Sequence, residues 1–491
     1  MIEKLYEKIC KGEDRRASLS ALKAEVKERT GKKRLLAAAG NNLDEIMKCL
    51  VDEDAKVRKN AAAVLGVMNW QPALDVLFDA YEEEEQLFVK AEYVRAMAAL
   101  DCGEYLPELH ERLEKLLSYH APENEKKHVQ AEINALQKLF VQKEGIRKHT
   151  FTGYHRANEI LLLTLPVFRD ALAAKITGKK ALLKSGVRTV TADMENICSI
   201  RIFSEMLFVL KCDRNLSADP EELADALKKS DLMQILTENH REKAPFYFRI
   251  GISGSMPLEE RSSLSKKLAA AIETKFSREL INSTSGYEME IRLIPGAKGG
   301  MVPFLKLYTI PDHRFDYRKY HVSASMRPFL AAGLLELAKP YLKQHAQVLD
   351  PFCGVGTCLI ERKFLMPARS CYGIDTFGEA IEKARANSKI AGMPINYINK
   401  NFFTFEHDYL FDEIITDMPM GNLSRQEQDM LYQRFFEKAS EVLAEGGKII
   451  CYSREMGLIK KQIRLHSEFR LLQEFCIQEK SGAYLFIIER K

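Results

Sequence analysis

The fold of the C-terminal part of the chain is decided by Val348-Leu349-Asp350-Pro351-Phe352-Cys353-Gly354-Val355-Gly356-Thr357. A short apolar strand ends here in an acid and two closely spaced glycines, which let the backbone approach a bound ligand. The next strand ends in Tyr372-Gly373-Ile374-Asp375, where a second acid can accept hydrogen bonds from a ribose diol. Together the two strand ends predict a site for a nucleoside cofactor.

A third strand end carries Ile415-Thr416-Asp417-Met418-Pro419-Met420-Gly421. This segment supplies a carboxylate, a backbone kink at the proline and a side chain that can lie over a planar base. Such a group suits an enzyme that presents an exocyclic amine to a methyl donor. We therefore predict that the catalytic residues are Asp417, Met418, Pro419 and Met420.

Strand and helix patterns alternate over residues 313–491. The predicted strands are 347–350, 371–375, 395–398, 413–417, 448–452, 471–477 and 484–489. Five strand–helix units predict a doubly wound, Rossmann-like parallel sheet, and the short last connection predicts an antiparallel hairpin at one edge. Ligands of such sheets bind beyond the C-terminal strand ends, where all three motifs fall.

Two further domains are predicted before this one. Residues 1–145 place apolar residues at three- and four-residue spacing, and residues 54–66 are nearly repeated at 86–98. The near-repeat resembles HEAT repeats, which are stacked helix pairs with a shared core, and an ordinary helical bundle is the alternative. Residues 146–312 mix strands with helices, which predicts an α+β region.

Composition sets broad limits on a chain of 491 residues. Basic and acidic residues number 73 and 69, so the net charge of +4 indicates no partner by itself. The ten cysteines form no Cys-x-x-Cys pair and no signal-peptide pattern opens the chain, so we expect reduced thiols and a cytoplasmic location. No apolar run approaches the ~18 residues of a membrane helix, and neither a membrane nor a metal site is expected.

The middle and C-terminal regions resemble the THUMP-containing class I S-adenosylmethionine-dependent RNA methyltransferases. In the middle region the likeness lies in the Leu-Leu-Leu-Thr strand, residues 198–204, the strand at 246–252 and the closing hairpin, which resemble a ferredoxin-like domain plus a THUMP domain. Residues 350–357 resemble the D-P-x-C-G-x-G-T motif of that family, and residues 417–421 resemble its D-L-P-F-G or N/D-P-P-Y/F motif. The resemblance covers roughly residue 147 to the C terminus and leaves the helical domain outside it.

The resemblance implies that the cofactor is S-adenosyl-L-methionine. Asp350 is then expected near the methionine ammonium, Asp375 on the ribose hydroxyls, and Arg327 at the start of a helix that borders the cofactor. The full set of cofactor-binding residues that it implies is Arg327, Asp350, Phe352, Gly354, Gly356, Thr357, Asp375 and Asn401. A surface or capping role is the alternative for Arg327, and a turn-forming role for Asp375.

Two positions depart from the family pattern. Asn401 stands where the family has an acid that contacts adenine, although an amide oxygen can also accept from the adenine amine. Met420 stands where the family stacks an aromatic ring on the target base, so Phe402 or Phe403 would have to take that role, or activity is reduced.

The leading hypothesis is methyl transfer to the exocyclic N2 amine of guanine in RNA, with tRNA as the expected substrate. Asp417 and the carbonyl of Met418 would accept both amine hydrogens. Basic residues of the THUMP-like region that could meet RNA phosphates include Lys175, Lys179, Lys180, Lys184, Arg188 and Arg201, and a solvated surface is the alternative for each lysine. The helical repeats are expected to dock a protein partner or to extend the RNA track. The alternatives are a base-amine methyltransferase for ribosomal RNA or DNA, a catalytically weakened RNA-binding scaffold, and a nicotinamide dinucleotide site, which the proline after Asp350 and the threonine after Gly356 disfavour.

Overall fold

The computed structural model describes residues 2–119, 121–145, 149–213, 215–296, 299–323, 325–419, 421 and 423–491. The chain forms two compact units, Met1–Arg147 and Lys148–Lys491. Within the described residues, no helix is long and apolar enough to cross a membrane.

The first unit is helical throughout its described residues, as the apolar spacing predicts. Its helices are α1 (Ile2–Lys11), α2 (Arg15–Glu25), α3 (Arg29–Ala38), α4 (Asp44–Met47), α5 (Ala55–Met68), α6 (Leu74–Glu83), α7 (Leu87–Ala98), α8 (Leu106–Ser118) and α9 (Glu123–Glu144). Helices α2, α5, α7 and α9 pack side by side in that order, with α6 against α7 and α8 against α9. A Cβ on Gly66 would lie 2.7 Å from the Cα of Ala96, so this glycine lets the α5 and α7 backbones approach closely.

The second unit begins with the predicted α+β region. Its strands are β1 (Asn158–Leu163), β2 (Lys180–Leu183), β3 (Gly186–Thr191), β4 (Glu205–Val209), β5 (Phe246–Ile252), β6 (Leu280–Asn282), β7 (Met289–Pro295) and β8 (Met301–Leu307). Its helices are α10 (Arg169–Ala174), α11 (Met194–Ser199), α12 (Pro220–Lys229), α13 (Leu232–Asn239) and α14 (Leu258–Lys275). The strands form one continuous sheet in the order β2-β3-β1-β4-β8-β7-β5-β6.

The rest of the second unit is a doubly wound α/β domain. Its strands are β9 (Ala346–Asp350), β10 (Ala368–Asp375), β11 (Asn396–Asn399), β12 (Phe411–Asp417), β13 (Leu443–Ser453), β14 (Phe469–Gln478) and β15 (Ala483–Arg490). Its helices are α15 (Pro328–Ala338), α16 (Thr357–Leu365), α17 (Gly378–Ile390), α18 (Arg425–Val442) and α19 (Met456–Leu465). The sheet order is β11-β10-β9-β12-β13-β15-β14, with β15 antiparallel to both of its neighbours. The predicted Rossmann-like sheet and its antiparallel edge are confirmed.

The strand order reverses between β9 and β12, and this reversal positions the site. Connections after β9 run to one side of the sheet through β10, whereas β12 lies on the other side of β9. Such a reversal opens a crevice beyond the C-terminal strand ends. Asp350, Asp375 and Asp417 are the last residues of β9, β10 and β12, so all three stand at that crevice.

A buried ionic cluster joins the α+β region to the α/β domain. Glu361 of α16 accepts from Arg201 Nε and Nη2, both at 2.8 Å, and from the hydroxyl of Tyr317 at 2.7 Å. Its carboxylate is 1% exposed, and the Arg201 guanidinium stacks on the ring of Phe364 at 4.1 Å. The sequence allows Arg201 to meet RNA phosphates, and in the structure its guanidinium pairs with Glu361 and joins the two regions.

Other cations expected at RNA phosphates also have protein partners. Lys175 forms an ion pair with Glu336 at 3.0 Å, and Arg188 pairs with Glu159. Lys180 Nζ donates to the carbonyl of Ile176 at 2.8 Å.

Candidate active site

One cavity of about 650 Å³ opens at the strand-order reversal. Most of the predicted site residues line it, namely Asp350, Phe352, Gly354, Thr357, Asp375, Asn401, Asp417, Met418 and Pro419. The glycine loop after β9 and the acidic end of β12 thus face the same space. Met420 lies outside the described residues.

Two predicted residues lie elsewhere. Arg327 is exposed at the start of α15, and its backbone carbonyl accepts from Leu330 and Ala331. Gly356 is buried behind the loop at φ +81°, where a Cβ would lie 2.1 Å from the hydroxyl oxygen of Tyr397. Gly356 therefore shapes the loop from behind, whereas Arg327 has no place in the cavity wall.

Gly354 forms the open side of the glycine loop. It adopts φ +52°, and a Cβ on it would have no neighbour within 4 Å. Its backbone N–H donates to Asp375 Oδ2 at 2.9 Å, while the N–H of Phe377 donates to Asp375 Oδ1 at 2.8 Å. Asp375 thus holds two loops of the cavity wall at once.

Thr357 places a buried polar atom beside this loop. Among the described residues its hydroxyl oxygen has no hydrogen-bond partner, and the residue lines the cavity. A buried polar atom without a partner is costly unless a ligand or water meets it. Thr357 is therefore a candidate ligand contact.

Asp350 and Asp417 form an acidic centre in the cavity. Burial raises the pKa of Asp350 well above its usual range, and the nearby carboxylates of Asp417 and Asp375 add to the effect. Burial also raises the pKa of Asp417 to about 7, against the opposing effect of the Arg454 guanidinium. A ligand that carries positive charge would relieve both carboxylates.

Asn401 does not have its oxygen free. Its Oδ1 accepts the backbone N–H of Phe403 at 3.0 Å, which caps a short turn at residues 402–404. One lone pair of that oxygen and the amide nitrogen remain for a ligand. Phe403 is half-buried in the cavity wall, and the guanidinium of Arg434 stacks on its ring at 4.1 Å.

The lining residues that the sequence analysis missed include Phe377, Lys400, Tyr452 and Arg454. Phe377 follows Asp375 by two residues and is 50% exposed, so its place after a strand end was a usable signal. Tyr452 lies beside Asp417 in the register of β12 and β13, and its carbonyl accepts the N–H of Met418 at 3.0 Å. This proximity depends on the sheet order, which no local pattern carries.

Part of the chain is similar in sequence to known proteins. Residues 316–480 match the family model described as RMKL-like, methyltransferase domain. A tRNA (guanine(10)-N2)-dimethyltransferase of Methanothermobacter thermautotrophicus is 33% identical over 136 residues, which are 27% of this chain and 39% of that protein. The U6 snRNA (guanine-N(2))-methyltransferase THUMPD2 of Bos taurus is 29% identical over 136 residues, which are 27% of this chain and 26% of that protein. The match thus spans well under half the length of either relative.

Solved structures share the fold of a larger part of the chain. TrmN from Thermus thermophilus aligns over 68% of this chain and 99% of its own, with a TM-score of 0.51 and 19% identity. SMU.472, a putative methyltransferase complexed with SAH, aligns over 68% of this chain and 98% of its own, with a TM-score of 0.52 and 15% identity. The C-terminal domain of this chain therefore has the fold of these proteins, and over residues 316–480 it is similar in sequence to RMKL-like methyltransferase domains.

Proposed function

We propose that the protein is an S-adenosyl-L-methionine-dependent RNA methyltransferase that modifies the exocyclic N2 amine of guanine, with tRNA as its substrate. The observation that carries the proposal is the single cavity shared by the glycine loop at Gly354 and the acid at Asp417. A cofactor held by the loop and a base held by the acid would meet within it. The names of the two relatives, both guanine-N2 methyltransferases acting on RNA, support the choice of substrate atom.

The residues present fit the cofactor. Its methionine part carries a sulfonium and an ammonium, and the cavity offers the carboxylates of Asp350 and Asp417. Asp375 can accept from the ribose hydroxyls, since each of its oxygens keeps a lone pair. Phe377 and Phe403 offer rings to the adenine, and the Thr357 hydroxyl offers the partnerless polar atom described above.

The bound cofactor supplies an activated methyl group on sulfur. Asp417 and the carbonyl of Met418 accept the two hydrogens of the guanine amine, which turns the nitrogen lone pair toward that methyl. The cofactor would supply that methyl group from its sulfur to N2, and the methylated amine would then lose one proton. Because burial raises the pKa of Asp417 to about 7, its carboxylate can take that proton.

The buried position of Asp417 also fits a base-amine substrate, because the base must be extruded to reach it. The target base must leave its stack to reach Asp417, and the cavity beside Tyr452 and Arg454 offers an aromatic ring and a cation to an extruded nucleotide. The α+β region would bind RNA as a ferredoxin-like plus THUMP region, and the helical unit would be HEAT-like.

The test is transfer of a tritiated methyl group to unmodified tRNA, ribosomal RNA and DNA, followed by mass spectrometry of the nucleosides. The proposal expects N2-methylguanosine in tRNA, with Asp417→Ala reducing incorporation at least 100-fold. Asp408→Asn, at an exposed acid outside the cavity wall, is the control and should retain activity. Equal incorporation by wild type and Asp417→Ala would overturn the catalytic assignment, and N6-methyladenosine as the product would overturn the substrate.

A further inference from the structure

Four helices of the first unit present one continuous face. The Asn60 amide of α5 donates to the carbonyl of Arg16 in α2 at 3.2 Å. The Lys59 ammonium of α5 lies 5.8 Å from the ring of Phe88 in α7, and that ring lies 6.2 Å from the ring of His128 in α9. These contacts link α2, α5, α7 and α9 in sequence along one side of the unit.

Basic residues recur on this side at helical spacing. The row on and just after α2 consists of residues 16, 20, 23 and 27, and the row on α5 consists of residues 56, 59, 60 and 63. The row on α7 consists of residues 88, 92, 95 and 99, and the row on α9 consists of residues 127, 131, 134 and 138. We name the cations of these rows the basic face: Arg16, Lys23, Lys27, Lys56, Lys59, Arg95, Lys127 and Lys138.

One acid of these four rows, Glu92, shares the face among the residues that the structure describes. It lies between two cations, at 3.3 Å from Lys23 and 2.9 Å from Arg95. Its side chain is 13% exposed, so this carboxylate offsets the charge of Lys23 and Arg95 but is itself mostly buried. The face therefore keeps a large excess of positive charge.

Two other helices of the first unit carry exposed acids. Helices α6 and α8 expose Asp75, Asp79, Glu82, Glu108, Glu111 and Glu114. A surface that serves only solubility mixes both signs, whereas a single-sign face attracts a partner of opposite charge.

We infer that the basic face binds the sugar-phosphate backbone of RNA. The cations are dispersed over four helices, and neighbouring packed helices lie about 8–10 Å apart, so the face spans several phosphates. Between them stand the small residues Ala99 and Ala131, whose short side chains add little bulk to the face. A protein partner would need buried aromatic or apolar anchors, and Phe88 is the half-buried aromatic of these rows. The inference goes beyond the proposed function, because these residues lie outside the methyltransferase domain.

The test measures binding of an unmodified tRNA transcript to the full chain by fluorescence anisotropy between 50 and 300 mM KCl. The variant Lys56→Ala/Lys127→Ala/Lys138→Ala removes three cations from α5 and α9. Its Kd should rise at least tenfold at 100 mM KCl, and the slope of log Kd against log salt should fall by about 2–3, since each phosphate contact contributes roughly 0.7–0.9. The matched control, Asp79→Ala/Glu82→Ala/Glu108→Ala on α6 and α8, should bind no more weakly than wild type.

The outcomes separate this inference from the proposed function. An unchanged Kd and salt slope in the triple lysine variant, with circular dichroism showing intact helices, overturns the RNA assignment of the basic face. Loss of polyglutamate binding in that variant with unchanged RNA binding also overturns it and assigns the face to an acidic protein. Failure of methyl transfer on every RNA, with the salt-dependent binding loss present, refutes the proposed function and leaves this inference standing.

Discussion

The carboxylate of Asp375 accepts the backbone N–H of Gly354 at 2.9 Å, so the end of one strand holds the glycine loop that follows its neighbour. The second carboxylate oxygen holds the N–H of Phe377. The shape of the cavity therefore depends on an acid that is also proposed to bind the ligand. Removing its charge should alter both the loop and the affinity.

Asp375→Asn should weaken S-adenosylmethionine binding at least tenfold. An amide has one oxygen, so one of the two backbone N–H groups would face an NH2 group instead of an acceptor, which costs about 1–3 kcal/mol. Isothermal titration calorimetry measures the affinity and thermal denaturation the accompanying loss of stability. Asp408→Asn should change neither, and wild-type affinity in Asp375→Asn would refute the role of this carboxylate.

Alanine at the two loop glycines should have different effects. Gly354→Ala would place its Cβ in open space, so the loss of stability should stay near the 1–2 kcal/mol of a left-handed backbone, while ligand affinity falls because the methyl group projects into the cavity. Gly356→Ala adds a clash with Tyr397 and should lose clearly more stability. Urea unfolding and calorimetry on both variants check this order, and the reverse order of stabilities would contradict the assigned geometry.

Methyl transfer should depend on pH through Asp417. The ionised carboxylate is the form that accepts the amine hydrogens, and its pKa is raised to about 7 by burial. The kcat/KM, which reports the free enzyme, should therefore rise about tenfold per pH unit below 6 and level off above 8. Asp417→Asn should be slow and lack this inflection. A flat wild-type profile between pH 5.5 and 8.5 would be inconsistent with the assignment.

Glu361→Gln should destabilise the second unit by about 2–3 kcal/mol. The substitution leaves the guanidinium of Arg201 without its buried counter-charge, and breaking a buried pair costs far more than breaking an exposed one. Glu379→Gln, which breaks the exposed pair with Lys383, should change the free energy of unfolding by less than about 0.5 kcal/mol. Urea unfolding of the full chain compares the two, and equal effects would show that the Arg201 contact adds no stability.

Local sequence patterns predicted the elements well, because spacing and motifs are local. The predicted Rossmann-like strands and their antiparallel edge are confirmed. Strand-end motifs also located the glycine loop and the acids of the cavity wall. The family match confirms the prediction of a methyltransferase domain.

Long-range pairing lay beyond the sequence. The continuous eight-stranded sheet depends on β4 pairing with β8, where Phe208 meets Leu305 across almost a hundred residues. Arg201 looks like a phosphate-binding cation, and only its contact with Glu361, 160 residues away, reveals a structural role. Tyr452 joins the site because β13 lies beside β12. Each of these depends on which strands and helices become neighbours, which periodicity does not encode.

Gly333 lets the two regions of the second unit pack closely, because it has no side chain. The ring of Phe168 occupies the space where a Cβ at this position would lie, at 2.3–2.6 Å, and belongs to the same buried cluster as Ala331 and Leu334. The α/β domain thus completes its core with an aromatic ring from the preceding region. A fragment truncated to residues 313–491 would lack the Phe168 ring and leave a cavity of that size in its core. The isolated domain should therefore be less soluble than the intact second unit, and its unfolding transition should be less cooperative.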